Sequence, residues 1–295
     1  MPHADDATIA DSLVDWFADA ARPLPWRAAD VSPWAVLVSE FMLQQTQVAR
    51  VVALWEAWIR RWPTPAALAA EPPSEAVRAW DRLGYPRRAL WLHRAAVEIV
   101  ERHGGEVPAD LDALLALQGV GPYTARAVAA FAFGLRYPVV DTNTRRVIAR
   151  AVAGDGEPGP PSTTRDLAAM SELLPKSDAA ARAFNAATME LGATICVARS
   201  PRCGECPIAV GCAWRAAGYP AYDGPRKPSQ ARFEGSDRQV RGLVMRELRA
   251  AHRAVTRAEL APVWADAAQL DRAVGGLVAD GLAVSDDEGL HLPDA

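Results

Sequence analysis

The octet Leu117-Gln-Gly-Val-Gly-Pro-Tyr-Thr124 decides the fold. A helical pattern runs into it and another leaves it. Gly119, Val120 and Gly121 form the turn, and the two glycines permit a tight bend with bare backbone approach. Pro122 suits a first helical turn, where its missing N–H is no loss. The octet predicts two helices joined by a short hairpin, with amides at the second helix start fit to hold a phosphate.

Outward from the hairpin the periodicity stays helical. Ile9, Leu13, Trp16, Phe17 and Ala20 repeat at helix spacing until Pro23 and Pro25. Helices are predicted over Trp34–Val48, Val51–Ile59, Ser74–Leu83, Arg88–His103, Leu111–Leu117, Pro122–Phe133 and Asn143–Val152. No alternating strand pattern precedes residue 280, so the class is all-α. Residues 154–162 read as a loop and 220–237 as a polar linker. Beyond it, Arg238–Ala251, Thr256–Ala261 and Leu270–Asp280 read as helices. Two short strands close the chain, giving a winged-helix-like unit over 238–295.

The chain has 295 residues, half apolar and 23% charged, enough to bury a core and too apolar for general disorder. Its apolar runs fall short of the ~20 residues of a membrane span. The acidic start lacks the basic-then-apolar export pattern, so the sequence reads as cytoplasmic. Only two lysines occur, Lys176 and Lys227, so amine chemistry has two candidates. Residues 199–257 hold 12 Arg/Lys against 5 Asp/Glu, whereas 258–295 hold 1 against 8. The first stretch reads as a local polyanion footprint. Its Arg238, Arg241, Arg246 and Arg249 read either as a contact to such a polyanion's backbone or, preferred, as one solvated helix face.

The four cysteines, Cys196, Cys203, Cys206 and Cys212, follow the pattern C-x6-C-x2-C-x5-C within 17 residues. Four clustered thiolates enclose one metal centre, either tetrahedral zinc or an iron–sulfur cluster. Arg199 and Arg202, between the first two, are placed to meet phosphates. From Ser32 to Val48 the sole ionisable residue is Glu40. Apolar surroundings raise a carboxyl's pKa and suit it to act as a general acid. Asp141 precedes Thr-Asn-Thr-Arg-Arg and reads as a helix N-cap.

The cysteine spacing, the hairpin octet and Ser39-Glu-Phe-Met-Leu-Gln-Gln-Thr-Gln-Val48 together resemble the endonuclease III and MutY group of DNA glycosylases, across residues 12–215. The resemblance implies a helix-hairpin-helix core over 1–219, with a six-helix module at about 28–136 and a cluster module of 1–27 plus 137–219. It implies a [4Fe–4S] cluster on the four cysteines. It casts Glu40 as the acid that protonates adenine at N7, Asp141 as the carboxylate that stabilises the oxocarbenium-like sugar, and Asn143 as its helper. Gln45 and Tyr85 match intercalating residues, and Trp26 and Arg27 of Leu24-Pro-Trp-Arg27 match a base pocket. Lyase-active members carry a lysine where this chain has Tyr123, and a tyrosine cannot form a Schiff base.

The expectation is a monofunctional, monomeric enzyme acting on adenine opposite 8-oxoguanine or guanine in double-stranded DNA. A thymine-mismatch glycosylase of the same fold and an iron–sulfur DNA-binding regulator are the alternatives. The chain departs from the group at Ala186, where many members carry Gln or Glu. It also departs after the linker, where about 60 residues stand in place of a MutT-like domain.

Overall fold

The computed structural model describes residues 6–225 and 232–294. In chain order the helices are α1 (Asp6–Ala20), α2 (Pro33–Leu43), α3 (Val48–Arg61), α4 (Pro65–Ala69), α5 (Pro73–Ala79), α6 (Arg87–His103) and α7 (Leu111–Leu115). They continue with α8 (Pro122–Phe133), α9 (Thr142–Ile148), α10 (Thr163–Leu173), α11 (Asp178–Thr194), α12 (Ala213–Ala216), α13 (Asp237–Ala250), α14 (Arg257–Leu260) and α15 (Ala267–Ala279). Strands β1 (Val284–Ser285) and β2 (Leu290–His291) pair antiparallel, with Val284 opposite His291. The all-α expectation holds, and α8 has the predicted bounds because Pro122 starts it and Gly134 ends it.

The chain divides into two compact units. Among the described residues the first takes the chain up to Val36, then 109–112 and 120–225. Its core joins Leu13 of α1, Met170 of α10, and Phe184 and Leu191 of α11, all fully buried. The second takes 37–108, 113–119 and the C-terminal residues from 232. In it Trp58 meets Trp62 and Trp80 edge-on, with ring centroids 4.7 and 5.6 Å apart, the arrangement that aromatic quadrupoles favour.

Two predicted helices are interrupted. The helix expected over Trp34–Val48 ends at Leu43, and Gln45 takes a left-handed φ of 56°. Arg88 donates to the carbonyls of Phe41, Met42 and Gln44 there, which satisfies the helix end early. The helix expected over Asn143–Val152 changes to a π-helical turn over Ala149–Ala153.

The C-terminal segment forms the predicted helices and hairpin, and it packs within the second unit. Arg78 of α5 donates to the Leu248 and Arg249 carbonyls at 3.2 and 2.6 Å. Arg87 and Arg241 both pair with Asp280. Arg253 pairs with Glu259, and Arg257 with Asp271 at 2.6 Å. The basic stretch is therefore answered in part by the acidic one that follows it. The single solvated face expected of α13 holds for Arg238 and Arg246, which are exposed, and not for Arg241 and Arg249. Burial lowers the pKa of Arg249, against the opposing effect of Asp81.

Candidate active site and metal centre

The four cysteines line one pocket within the first unit. All four are free thiols. Its lining holds no carboxylate or imidazole, so sulfur is the only anionic donor type, and Arg150 and Arg215 supply positive charge beside it. Four thiolates on one pocket, with cations to offset a negative cluster, fit an iron–sulfur group. Burial pushes the Cys206 thiol up to about 11 and raises Cys212, and the neighbouring cysteines add to both shifts. Ligation therefore requires iron to displace thiol protons.

The π-helical turn supplies Arg150 to this loop. Its guanidinium is buried, donates to Val197 O at 2.8 Å and Ala198 O at 3.2 Å, and lies 3.5 Å from Cys196 Sγ. Trp214 stacks beneath it, 4.8 Å from ring centroid to guanidinium carbon. One helical turn earlier, Arg146 donates to Cys196 O and Gly192 O, each at 2.6 Å, and to Asn143 Oδ1 at 2.8 Å.

Asp141 caps α9. Its Oδ1 accepts from Thr144 N at 2.7 Å and its Oδ2 from Asn143 Nδ2 at 2.8 Å. The extended approach to it is pinned by fully buried Asn185 of α11, which donates to Tyr137 O and accepts from Val139 N. Gly192 of α11 makes room for the start of α9, because a Cβ there would stand 2.7 Å from Asn143 Cβ. Tyr123 packs, half-buried, on Ala127, Ala130 and Val139. Lys176 is exposed between α10 and α11, and Lys227 lies outside the described residues.

Trp26 and Arg27 occupy a single 3-10 turn, Pro25–Arg27. Arg27 donates to Glu190 Oε2 at 2.9 Å, and Arg22 bonds both oxygens of that carboxylate. Glu190 is fully buried on α11. Burial raises its pKa, but the bonds and charges of Arg22 and Arg27 together outweigh burial and hold it below the usual value. Arg202 donates to Thr194 O and pairs with Glu205, so its charge is answered inside the loop, while Arg199 is exposed.

In the second unit Glu40 lies on α2 and is 4% exposed, as its apolar surroundings predict. Gly119 has φ 77°, and a Cβ there would stand 2.7 Å from Trp91 and 3.0 Å from Phe41, the residue after Glu40. Gly121, the N-cap of α8, has φ −90° and open space around its Cβ position, so only one of the two hairpin glycines is required by its backbone and surroundings. Val120 is buried. Gln45 and Tyr85 are both exposed on turns. Sequence reading missed Arg88, Arg146, Arg150 and Glu190. For Glu190 a signal existed: it is a lone charge in the apolar run Thr188-Met-Glu-Leu191.

Residues 38–172 match the HhH-GPD superfamily of base excision DNA repair proteins, and residues 196–212 match the iron–sulfur binding domain of endonuclease III. The adenine DNA glycosylase of Mycobacterium tuberculosis (strain CDC 1551 / Oshkosh) is 54% identical over 279 residues, covering 94% of this chain and 91% of that protein. This chain belongs to the adenine DNA glycosylase family. Its counterpart in Mycolicibacterium smegmatis (strain ATCC 700084 / mc(2)155) is 53% identical, with 94% and 93% covered. Among solved structures, a thermostable thymine-DNA glycosylase superposes with a TM-score of 0.66 at 27% identity, covering 72% of this chain and 97% of that one. The [4Fe–4S] expectation stands, since all four cysteines lie in the matched iron–sulfur domain. Among the described residues no helix is long and apolar enough to cross a membrane.

Proposed function

We propose that this family member releases adenine mispaired with 8-oxoguanine or guanine in duplex DNA, hydrolysing the N-glycosidic bond and leaving the strand intact. The observation that carries the reading is Glu40, a carboxyl 4% exposed on α2 within the 39–48 run that resembles the family signature. It gives a proton to adenine N7. The C1′–N9 bond then breaks with its electron pair passing to the purine. Asp141, fixed by Thr144 and Asn143, offers a carboxylate to the cationic sugar that remains. Water adds at C1′ and releases a proton. Trp26 and Arg27 flank the extruded base, Arg27 being held by Glu190.

Absence of lyase activity follows from Tyr123 at the hairpin helix, where an amine nucleophile would be needed. The hairpin amides and exposed Arg199 hold phosphates. The cysteines hold the cluster, which ties down the loop bearing Arg199 and, with no open ligand position, takes no part in bond cleavage. A cluster held by four cysteine thiolates suits a reducing compartment, the cytoplasm, and the enzyme acts as a monomer.

The similarity to a thymine-DNA glycosylase supports a second reading, thymine removal from T opposite G. Base release from duplexes with A opposite 8-oxoguanine, A opposite G and T opposite G separates the two. Release of adenine, with nicking only after alkali, is expected. Release of thymine alone, or nicking without alkali, would overturn this reading.

A further inference from the structure

Arg88 sits 3% exposed at the start of α6, with its guanidinium among backbone carbonyls. Nη1 donates to Phe41 O at 2.7 Å, Met42 O at 3.1 Å and Gln44 O at 2.5 Å. Nη2 donates to Thr46 Oγ1 at 3.1 Å and to Gly84 O at 2.9 Å. One side chain thus joins the end of α2 to the turn before α6, segments some forty residues apart in sequence.

The carbonyls it selects are informative. Gln44 O immediately precedes Gln45, and Gly84 O immediately precedes Tyr85. Those two residues have φ of 56° and 49°, left-handed values that non-glycine residues adopt only when held. Tyr85 is nevertheless 51% exposed, and Gln45 is exposed too. Trp80 supports the same turn by donating to Gly84 O at 3.0 Å, and its ring and that of Tyr85 lie 5.2 and 5.5 Å from the Arg88 guanidinium carbon. Burial lowers the Arg88 pKa to about 10, partly countered by Tyr85, so the guanidinium is charged at neutral pH.

We infer that Arg88 is a positioning residue for base extrusion, clamping Gln45 and Tyr85 in their strained, outward conformations as a preformed pair of wedges. This rests on the reading that Gln45 and Tyr85 intercalate. Arg88 itself meets no base. Its contribution is to fix two insertion points before DNA arrives, so that the unstacking step does not also require ordering them. A lysine, with one nitrogen, cannot reach both groups of carbonyls.

The test uses the full-length protein with 2-aminopurine as the target base, whose fluorescence rises on unstacking, in a Glu40→Gln background that blocks cleavage. Arg88→Met and Arg88→Lys should each slow the rise about tenfold or more. Introduced together with Gln45→Ala and Tyr85→Ala, the same changes should add less than about twofold, because the clamp then has nothing to position. A general loss of structure would slow extrusion equally in both backgrounds, and that result overturns the inference. So does an unchanged rate for Arg88→Lys, the milder change should Arg88→Met fail to fold. If Gln45→Ala with Tyr85→Ala leaves extrusion unaltered while Arg88→Met slows it, the wedge reading itself is what fails.

Discussion

Asn143 donates its amide to Asp141 Oδ2 at 2.8 Å while its own oxygen accepts from Arg146, also at 2.8 Å. Arg146 reaches on to the carbonyl of Cys196, so the candidate catalytic carboxylate and the first cluster ligand share one bonded frame. Gly192 leaves the space in which this frame packs. Gly192→Ala would place a Cβ 2.7 Å from Asn143 Cβ and 2.9 Å from its carbonyl oxygen. Overpacking of this kind costs about 1–3 kcal/mol. The expected outcome is a fall in base release of about a hundredfold, since small displacements of catalytic groups are that costly. Single-turnover kinetics beside urea unfolding would check both.

Gly119→Ala meets two obstacles, a φ of 77° and the Trp91 and Phe41 side chains. The left-handed backbone costs about 1–2 kcal/mol and the crowding a similar amount. The second unit should lose stability, and affinity for duplex DNA should drop with it. Gly121→Ala, with open space at its Cβ position, should be tolerated far better. Denaturant midpoints of the two variants provide the comparison.

Glu190 gives a pH prediction. Its folded-state pKa lies below the ordinary 4.5, so the unfolded chain binds the proton more readily. The stability it contributes is complete above about pH 4.5 and is lost as pH falls through the folded-state value. Glu190→Gln removes that dependence and leaves the partly exposed Arg22 and Arg27 without their counter-charge, a loss of about 1–2 kcal/mol near neutrality. The gap between variant and native protein should therefore narrow on acidification, as measured by urea unfolding at several pH values.

The cysteine site makes an analytical prediction. Purified protein should be yellow-brown and contain about four irons and four sulfides per chain. Cys206→Ser should bleach it and loosen the loop carrying Arg199, weakening DNA binding. A colourless protein with one zinc would contradict this.

Legibility in the sequence followed the range of the interactions. The α8 helix was readable to the residue because Gly121, Pro122 and Gly134 act locally. The cysteines and the buried Glu40 were readable because spacing and an apolar run are local patterns too. The end of α2 was not, since the group that satisfies its carbonyls, Arg88, is distant in sequence. Nor was the pairing of Arg241 with Asp280, which took one arginine out of the expected solvated face. Glu190 left a local signal as a lone charge in an apolar stretch, but its partners Arg22 and Arg27, more than 160 residues away, did not.

The central claim is that the Glu40 carboxyl delivers the proton on which base loss depends. Glu40→Gln keeps the side-chain shape and removes the acid. Single-turnover release of adenine from a duplex with A opposite 8-oxoguanine should fall by about 10²- to 10⁴-fold while the variant still binds that duplex. An undiminished rate would contradict the account.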